Sequence, residues 1–180
     1  MKKIKLNDKE FGVSLPSDEI YKIIKQVAQK INSDYKDKET PLFISILNGS
    51  FMFTADLLKQ IDFNCEITFL KLSSYLGTST TGNVKELIGI NEKIQGRYVI
   101  VLEDIVDTGI TLEQIVNELK KLNPADVKIA TFLFKPAAYK KDIKIDYVGK
   151  EIPNDFIIGY GLDYDGLGRN LPDIYTLIDK

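Results

Sequence analysis

Three short, nearly continuous apolar runs decide most of what this chain can fold into: PLFISIL at 41–47, RYVIVLE at 97–103 and DVKIATFLF at 126–134. A run without polar alternation is what a strand needs when both of its faces are covered, as in a parallel sheet. Stretches with helical spacing lie between them. Residues 17–31 place Ile20, Ile23, Ile24, Val27 and Ile31 on one stripe. Ser17 is expected to cap that helix, with Asp18 and Glu19 in its first turn. FMFTADLLKQI (51–61) and ITLEQIVNELKKL (110–122) are expected to be helices. CEITFLKLSSY (65–75) and VKELIGI (84–90) read as strands that form a long hairpin at the sheet edge. The LGTSTTGN segment between them (76–83) is too polar to pack and is expected to be a mobile loop. Beyond 134, IDYVGKEI, FIIGYGLDY and DGLGRNLPDIYTL read as irregular. Strands alternating with helices predict an α/β fold with a mainly parallel central sheet. The length of 180 residues suits a single domain spanning 1–180.

Composition removes several kinds of chemistry. The chain has no histidine, which excludes serine–histidine and cysteine–histidine catalysis and histidine-held zinc. The one cysteine, Cys65, allows neither an internal disulfide nor a thiolate zinc site. Proton transfer must therefore use Asp, Glu, Lys or Tyr, and any metal must be held by oxygen, which points to magnesium, manganese or calcium. The start, MKKIKLNDKEF, has lysines but no apolar segment behind them and does not read as a signal peptide. No apolar run approaches the roughly 18 residues of a membrane span. A net charge of −2 and a pI near 5.3 give no electrostatic reason to expect nucleic acid. The expectation is a cytoplasmic protein with small-molecule partners, and neither a membrane nor a nucleic acid.

Residues 98–111, YVIVLEDIVDTGIT, run from a buried strand into two acids, Glu103 and Asp104, and then a third, Asp107. In open α/β sheets, ligands bind where strand C-termini meet helix N-termini. Gly109 allows a tight turn with close backbone approach. The amides of 107–111, at the positive end of the following helix, together with the Thr108 and Thr111 hydroxyls, would cradle a phosphate. On its own, Asp107 could be a helix cap and Glu103 and Asp104 solvated loop acids. A functional reading must explain why acids crowd the amides that an anion would use. A phosphorylated sugar does so: carboxylates accept hydrogen bonds from ribose hydroxyls while amides take the phosphate. The spacing fits neither the Walker phosphate loop, whose glycine-lysine pattern is absent, nor the dinucleotide fingerprint, since Gly159-Tyr160-Gly161 is followed by Tyr164 where the third glycine would stand.

The motif VIVLEDIVDTGIT resembles the phosphoribosyl pyrophosphate motif of the type I phosphoribosyltransferases. ILNGSFMFTADL, LKLSSYLGTSTTGNVK, FLFKPAAY and DYVGKEIPNDFIIGYGLDYDGLGRNLPDIY are similar to the hypoxanthine (hypoxanthine-guanine) branch of that family, over about residues 40–178. The resemblance implies the type I fold, with a flexible lid hairpin at about 73–84 and a small irregular hood from the C-terminal segment at about 135–175. The implied reaction is purine salvage. A 6-oxopurine, hypoxanthine or guanine, attacks C1 of phosphoribosyl pyrophosphate to give IMP or GMP and pyrophosphate, with Mg2+ as cofactor. Roles carry over by position. Glu103 and Asp104 would meet the ribose hydroxyls directly or through metal. Asp107, Thr108, Gly109, Ile110 and Thr111 would hold the 5′-phosphate, with Asp107 also the base at purine N7. Lys135 would donate to purine O6, Phe156 would stack on the ring, and Ile157 would offer backbone groups. Asp163 would sit near the base and hold a second magnesium. Asn48, Gly49 and Arg169 would bind pyrophosphate, and Ser74 and Tyr75 would belong to the lid. Some members carry Lys or Arg at the position of Asn48. The resemblance also implies a homodimer or homotetramer, with FMF (51–53) as one possible interface.

Each assignment has a plainer alternative. Lys135 could be a strand-end lysine, Phe156 a core residue, Asp163 a turn acid and Arg169 a surface arginine. Two other functions compete: a phosphoribosyl-pyrophosphate-sensing regulator of the same fold without catalysis, and a metal-dependent phosphatase, which fails on acid spacing.

Overall fold

The computed structural model describes residues 3–73 and 85–178. A six-stranded sheet forms its centre, in the order β5-β4-β3-β6-β7-β8. Five of these strands are parallel: β3 (Leu42–Leu47), β4 (Glu66–Ser73), β6 (Tyr98–Val106), β7 (Asp126–Phe134) and β8 (Tyr147–Glu151). At one edge β5 (Lys85–Ile88) runs antiparallel to β4, as the hairpin reading expects. Val99, Ile100, Val101 and Leu102 are fully buried at the middle of the sheet, so their unbroken apolar run reflects cover on both faces. The segment expected to be a mobile loop, 76–83, lies outside the described residues, as do Ser74 and Tyr75.

One face is covered by α1 (Ser17–Tyr35) and α2 (Phe51–Leu58), the other by α3 (Ile110–Lys121). Helix α1 buries Ile20, Ile24, Val27 and Ile31 as its spacing predicts, and continues to Tyr35, whose ring is also buried. Ser17 does not cap it. Pro16 occupies the N-cap, Ser17 is already helical, and its backbone N–H donates to Asp173 Oδ1 at 2.9 Å. A carboxylate from the far end of the chain thus takes over the role expected of the local hydroxyl. Helix α2 is shorter than expected, and its FMF start is split: Phe53 is buried while Phe51 is exposed.

A second sheet was not legible. The N-terminal hairpin β1 (Lys3–Leu6) and β2 (Lys9–Leu15) pairs with β10 (Ile174–Leu177), which pairs with β9 (Ile157–Ile158). The hood over the parallel sheet is therefore an antiparallel sheet to which both ends of the chain contribute. Phe11, Ile158 and Tyr175 form its buried centre. No described helix is long and apolar enough to cross a membrane.

Candidate active site

Parallel strands end on one side, so β3, β6 and β7 release their loops at a common edge. After β3 comes Leu47-Asn48-Gly49, with a cis peptide between Leu47 and Asn48. After β6 comes Asp107-Thr108-Gly109, and after β7 comes Lys135.

The turn into α3 has the expected form. Gly109 is the N-cap, with φ of 79°. A side chain there would also overlap the Tyr139 ring, so both conformation and space require glycine. The chain after β7 closes over this turn: Lys140 N–H donates to Thr108 O at 3.3 Å, and Lys141 pairs with Glu113 at 2.6 Å. The α3 N-terminus has no side-chain cap, which leaves its first amides open to a ligand. A cleft of about 200 Å³ lies there, lined by Glu103, Asp107, Thr108, Gly109, Ile110 and Thr111 among others. Thr108, Ile110 and Thr111 are exposed at its rim.

Glu103 and Asp104 belong to β6 itself. Burial, and then the charge of Asp104, push the Glu103 carboxyl well above the usual carboxylate range. Burial raises Asp104 to about 6, against the pull of the Ile105 N–H bond at 2.9 Å and the charge of Arg169. Asp104 also packs on the Gly49 backbone, where any side chain would collide with its carboxylate. Two adjacent carboxyls that resist ionisation together form a donor set that suits a hard divalent cation. Among the described residues no three acidic or cysteine side chains converge on one point, so a cation there would need further oxygens from water or substrate.

Lys135 is nearly buried and places Nζ 3.4 Å from Asp107 Oδ2. Its own N–H donates to Val106 O at 3.0 Å, which fixes where the side chain leaves the sheet. In the hood, Arg169 Nη2 meets Asp163 Oδ1 at 2.6 Å and its Nη1 donates to Gly161 O at 2.7 Å. Asp163 Oδ2 accepts from Gly166 N–H at 2.7 Å. Phe156 is not a core residue: 45% of it is exposed, and its ring stands 6.2 Å from Phe11 and 5.8 Å from Tyr164. Ile157 is half-buried in β9.

Gly161 is a residue that sequence reasoning missed. At φ of 98° its backbone lies directly on Gly49 O, which joins the hood to the loop after β3. The two glycines around Tyr160 are its trace in the sequence, where they read only as part of a failed dinucleotide fingerprint.

The profile of the "Phosphoribosyl transferase domain" matches residues 15–165. The chain belongs to the phosphoribosyltransferase family. It is 46% identical over 168 residues to the hypoxanthine-guanine phosphoribosyltransferase of Staphylococcus epidermidis, covering 92% of this chain and 93% of that protein. It is 41% identical over 167 residues to that of Bacillus subtilis, covering 92% of each chain. A crystal structure of a Bacillus anthracis hypoxanthine-guanine phosphoribosyltransferase, with a HEPES molecule in its active site, superimposes with a TM-score of 0.86 at 38% identity, over 93% of this chain and 97% of that one. Identity at this level over nearly the whole length makes the chain a phosphoribosyltransferase in fold and in kind of enzyme.

Proposed function

We propose that this enzyme works in purine salvage and transfers the 5-phosphoribosyl group of phosphoribosyl pyrophosphate to a 6-oxopurine, hypoxanthine or guanine. The products are IMP or GMP and pyrophosphate. The observation that carries this reading is the strand–turn–helix of 98–121: an acid pair, then Asp107, then open amides at a helix start, with Lys135 facing Asp107.

The amides of 108–111 and the Thr108 and Thr111 hydroxyls hold the 5′-phosphate. Glu103 and Asp104 face the ribose hydroxyls. The purine lies on Phe156 with its edge toward the Ile157 backbone, and Lys135 donates to O6. A purine with an amino group there would set donor against donor, which rejects adenine. As the purine attacks C1, the bond from C1 to pyrophosphate oxygen breaks and pyrophosphate leaves with the electron pair. Asp107 receives the N7 proton. Arg169 and the backbone of Asn48 and Gly49 hold the leaving pyrophosphate, with Asn48 contributing no charge. Glu103 and Asp104, and Asp163 nearer the base, would hold Mg2+. Magnesium, when bound, supplies positive charge to the ribose and pyrophosphate oxygens. Asp163 would exchange its partner Arg169 for that role.

The chain acts as one domain, residues 1–180, with a lid at 73–84 that includes Ser74 and Tyr75 and a purine-binding hood within 135–175. It works in the cytoplasm as a homodimer or homotetramer. No specific observation favours the sensing regulator. The test is turnover with magnesium, phosphoribosyl pyrophosphate and hypoxanthine, guanine, xanthine or adenine in turn, followed by absorbance. Turnover on 6-oxopurines and none on adenine is expected. Tight phosphoribosyl pyrophosphate binding with no turnover on any purine would overturn this reading.

A further inference from the structure

Beneath the loop 47–49, three hydroxyls are buried in a row. Ser45 and Ser50 are fully buried, and Thr54 is nearly so. Ser45 Oγ lies 2.7 Å from Ser50 Oγ and 2.8 Å from Thr54 Oγ1, and Ser50 Oγ donates to Ile46 O at 2.5 Å. Each hydroxyl has one proton to give, and a carbonyl can only accept. The direction of the chain follows from its end. Ser50 spends its proton on Ile46 O, so it accepts from Ser45. Ser45 then accepts from Thr54.

Ser50 stands at the N-cap of α2, where a serine would ordinarily turn its oxygen to the first amides of the helix. It makes no such bond. Its hydroxyl points back across the loop to Ile46, parallel to its own backbone N–H, which reaches the same carbonyl at 3.4 Å. The three residues between are Leu47, Asn48 and Gly49. Ser50 thus staples the two ends of this loop together, Ser45 holds the staple in its inward rotamer, and Thr54 donates to Ser45. Because the serine is diverted, the opening turn of α2 keeps its amides free of a side-chain cap, on the side where Gly49 touches Asp104 and Gly161.

We propose that Ser50 and Ser45 are positioning residues for the pyrophosphate end of the reaction: the buried hydroxyl chain sets the 47–49 backbone in the orientation that receives the leaving pyrophosphate. This rests on the reading of that loop as the pyrophosphate subsite. A buried polar chain specifies one geometry when every member is satisfied, and becomes costly when one is removed.

The test uses the full-length protein with Ser50→Ala, Ser45→Ala and Thr54→Val. Each variant is assayed for KM of phosphoribosyl pyrophosphate, KM of hypoxanthine and binding of magnesium pyrophosphate by calorimetry, with thermal melting as the check on folding. The expected result is graded. Ser50→Ala weakens both pyrophosphate ligands about tenfold, Ser45→Ala about threefold and Thr54→Val hardly at all, with the hypoxanthine KM unchanged throughout. Thr54 is the control for a merely structural effect, because its loss removes a buried bond yet leaves the staple whole. Ser50→Thr, which keeps the hydroxyl, restores pyrophosphate binding. Equal weakening of purine and pyrophosphate, or undiminished pyrophosphate binding by folded Ser50→Ala, overturns the proposal. If Ser50→Ala fails to fold, Ser45→Ala decides by the same readouts. A wild type that binds pyrophosphate but transfers nothing overturns the function and leaves this proposal to the calorimetry. A wild type that does not bind pyrophosphate overturns the proposal itself.

Discussion

Lys135 Nζ and Asp107 Oδ2 stand 3.4 Å apart, so the group assigned to purine O6 and the group assigned to the N7 proton form one ion pair. That spacing has a chemical reason. O6 and N7 share one edge of a 6-oxopurine. A donor for the first and an acceptor for a proton on the second must therefore lie side by side. Asp107→Asn keeps the shape but cannot take the proton. Its kcat should fall by roughly 10²–10⁴, the usual range for a general base. Single-turnover kinetics with hypoxanthine would measure this, and a loss below about tenfold would remove Asp107 from the role.

Lys135→Met tests the other half of the pair. A charged donor to a buried carbonyl contributes about 1.5–3 kcal/mol, so the KM for hypoxanthine should rise about 10- to 100-fold. The KM for phosphoribosyl pyrophosphate should barely change, because this assignment puts Lys135 on the purine and not on that substrate. Lys135→Arg keeps the charge but replaces a point donor with a planar fork, and should recover the loss only in part. Steady-state kinetics with each substrate varied in turn would separate the two. Equal rises in both KM values would mean that the lysine supports the site as a whole and does not read O6.

Local pattern explains why the centre of the molecule could be read in advance. Residues 98–122 carry strand, turn and helix in one unbroken stretch, and each signal is local: an apolar run, a glycine, a stripe at helical spacing. The hood is different. Hairpin β1–β2 is short, lysine-rich and alternating, and it becomes a sheet only because β10 lies against it from about 160 residues away. The capping of α1 by Asp173 has the same origin, since the better acceptor comes from the other end of the chain. Phe156 reads as core from its apolar neighbours, and only the tertiary arrangement with Phe11 and Tyr164 leaves one side of its ring open. Gly49 and Gly161 each look like loop glycines, and their contact across the site is visible only in three dimensions.

The acid pair gives a prediction in pH. Burial raises Asp104 from the ordinary 3.8 to about 6, and Glu103 moves the same way. The native state therefore holds protons that the unfolded chain has released. Stability should fall as pH rises from about 3.8 to about 6, the window that Asp104 sets, and Glu103 carries the fall further upward. Asp104→Asn removes one of the two charges and should flatten this slope. Thermal melts of both proteins between these limits check it. A wild-type slope that the variant reproduces unchanged would show that other groups cause it.

Gly161→Ala bears on the joint between hood and pyrophosphate loop. The new methyl group would meet Gly49 O, which belongs to backbone and cannot rotate away. The residue would also have to keep a φ of 98°, where a side chain costs about 1–3 kcal/mol in strain. Either the hood lifts or the loop after β3 shifts, and both carry groups assigned to pyrophosphate: Arg169, which donates to Gly161 O, on one side and Gly49 on the other. The variant should melt lower than wild type and bind phosphoribosyl pyrophosphate more weakly, while isolated purine stacking on Phe156 suffers less. Calorimetry with phosphoribosyl pyrophosphate and melting in its presence would measure the two effects together. A variant with wild-type affinity would mean that hood and loop move independently, and the Gly49–Gly161 contact would then be packing without consequence for the site.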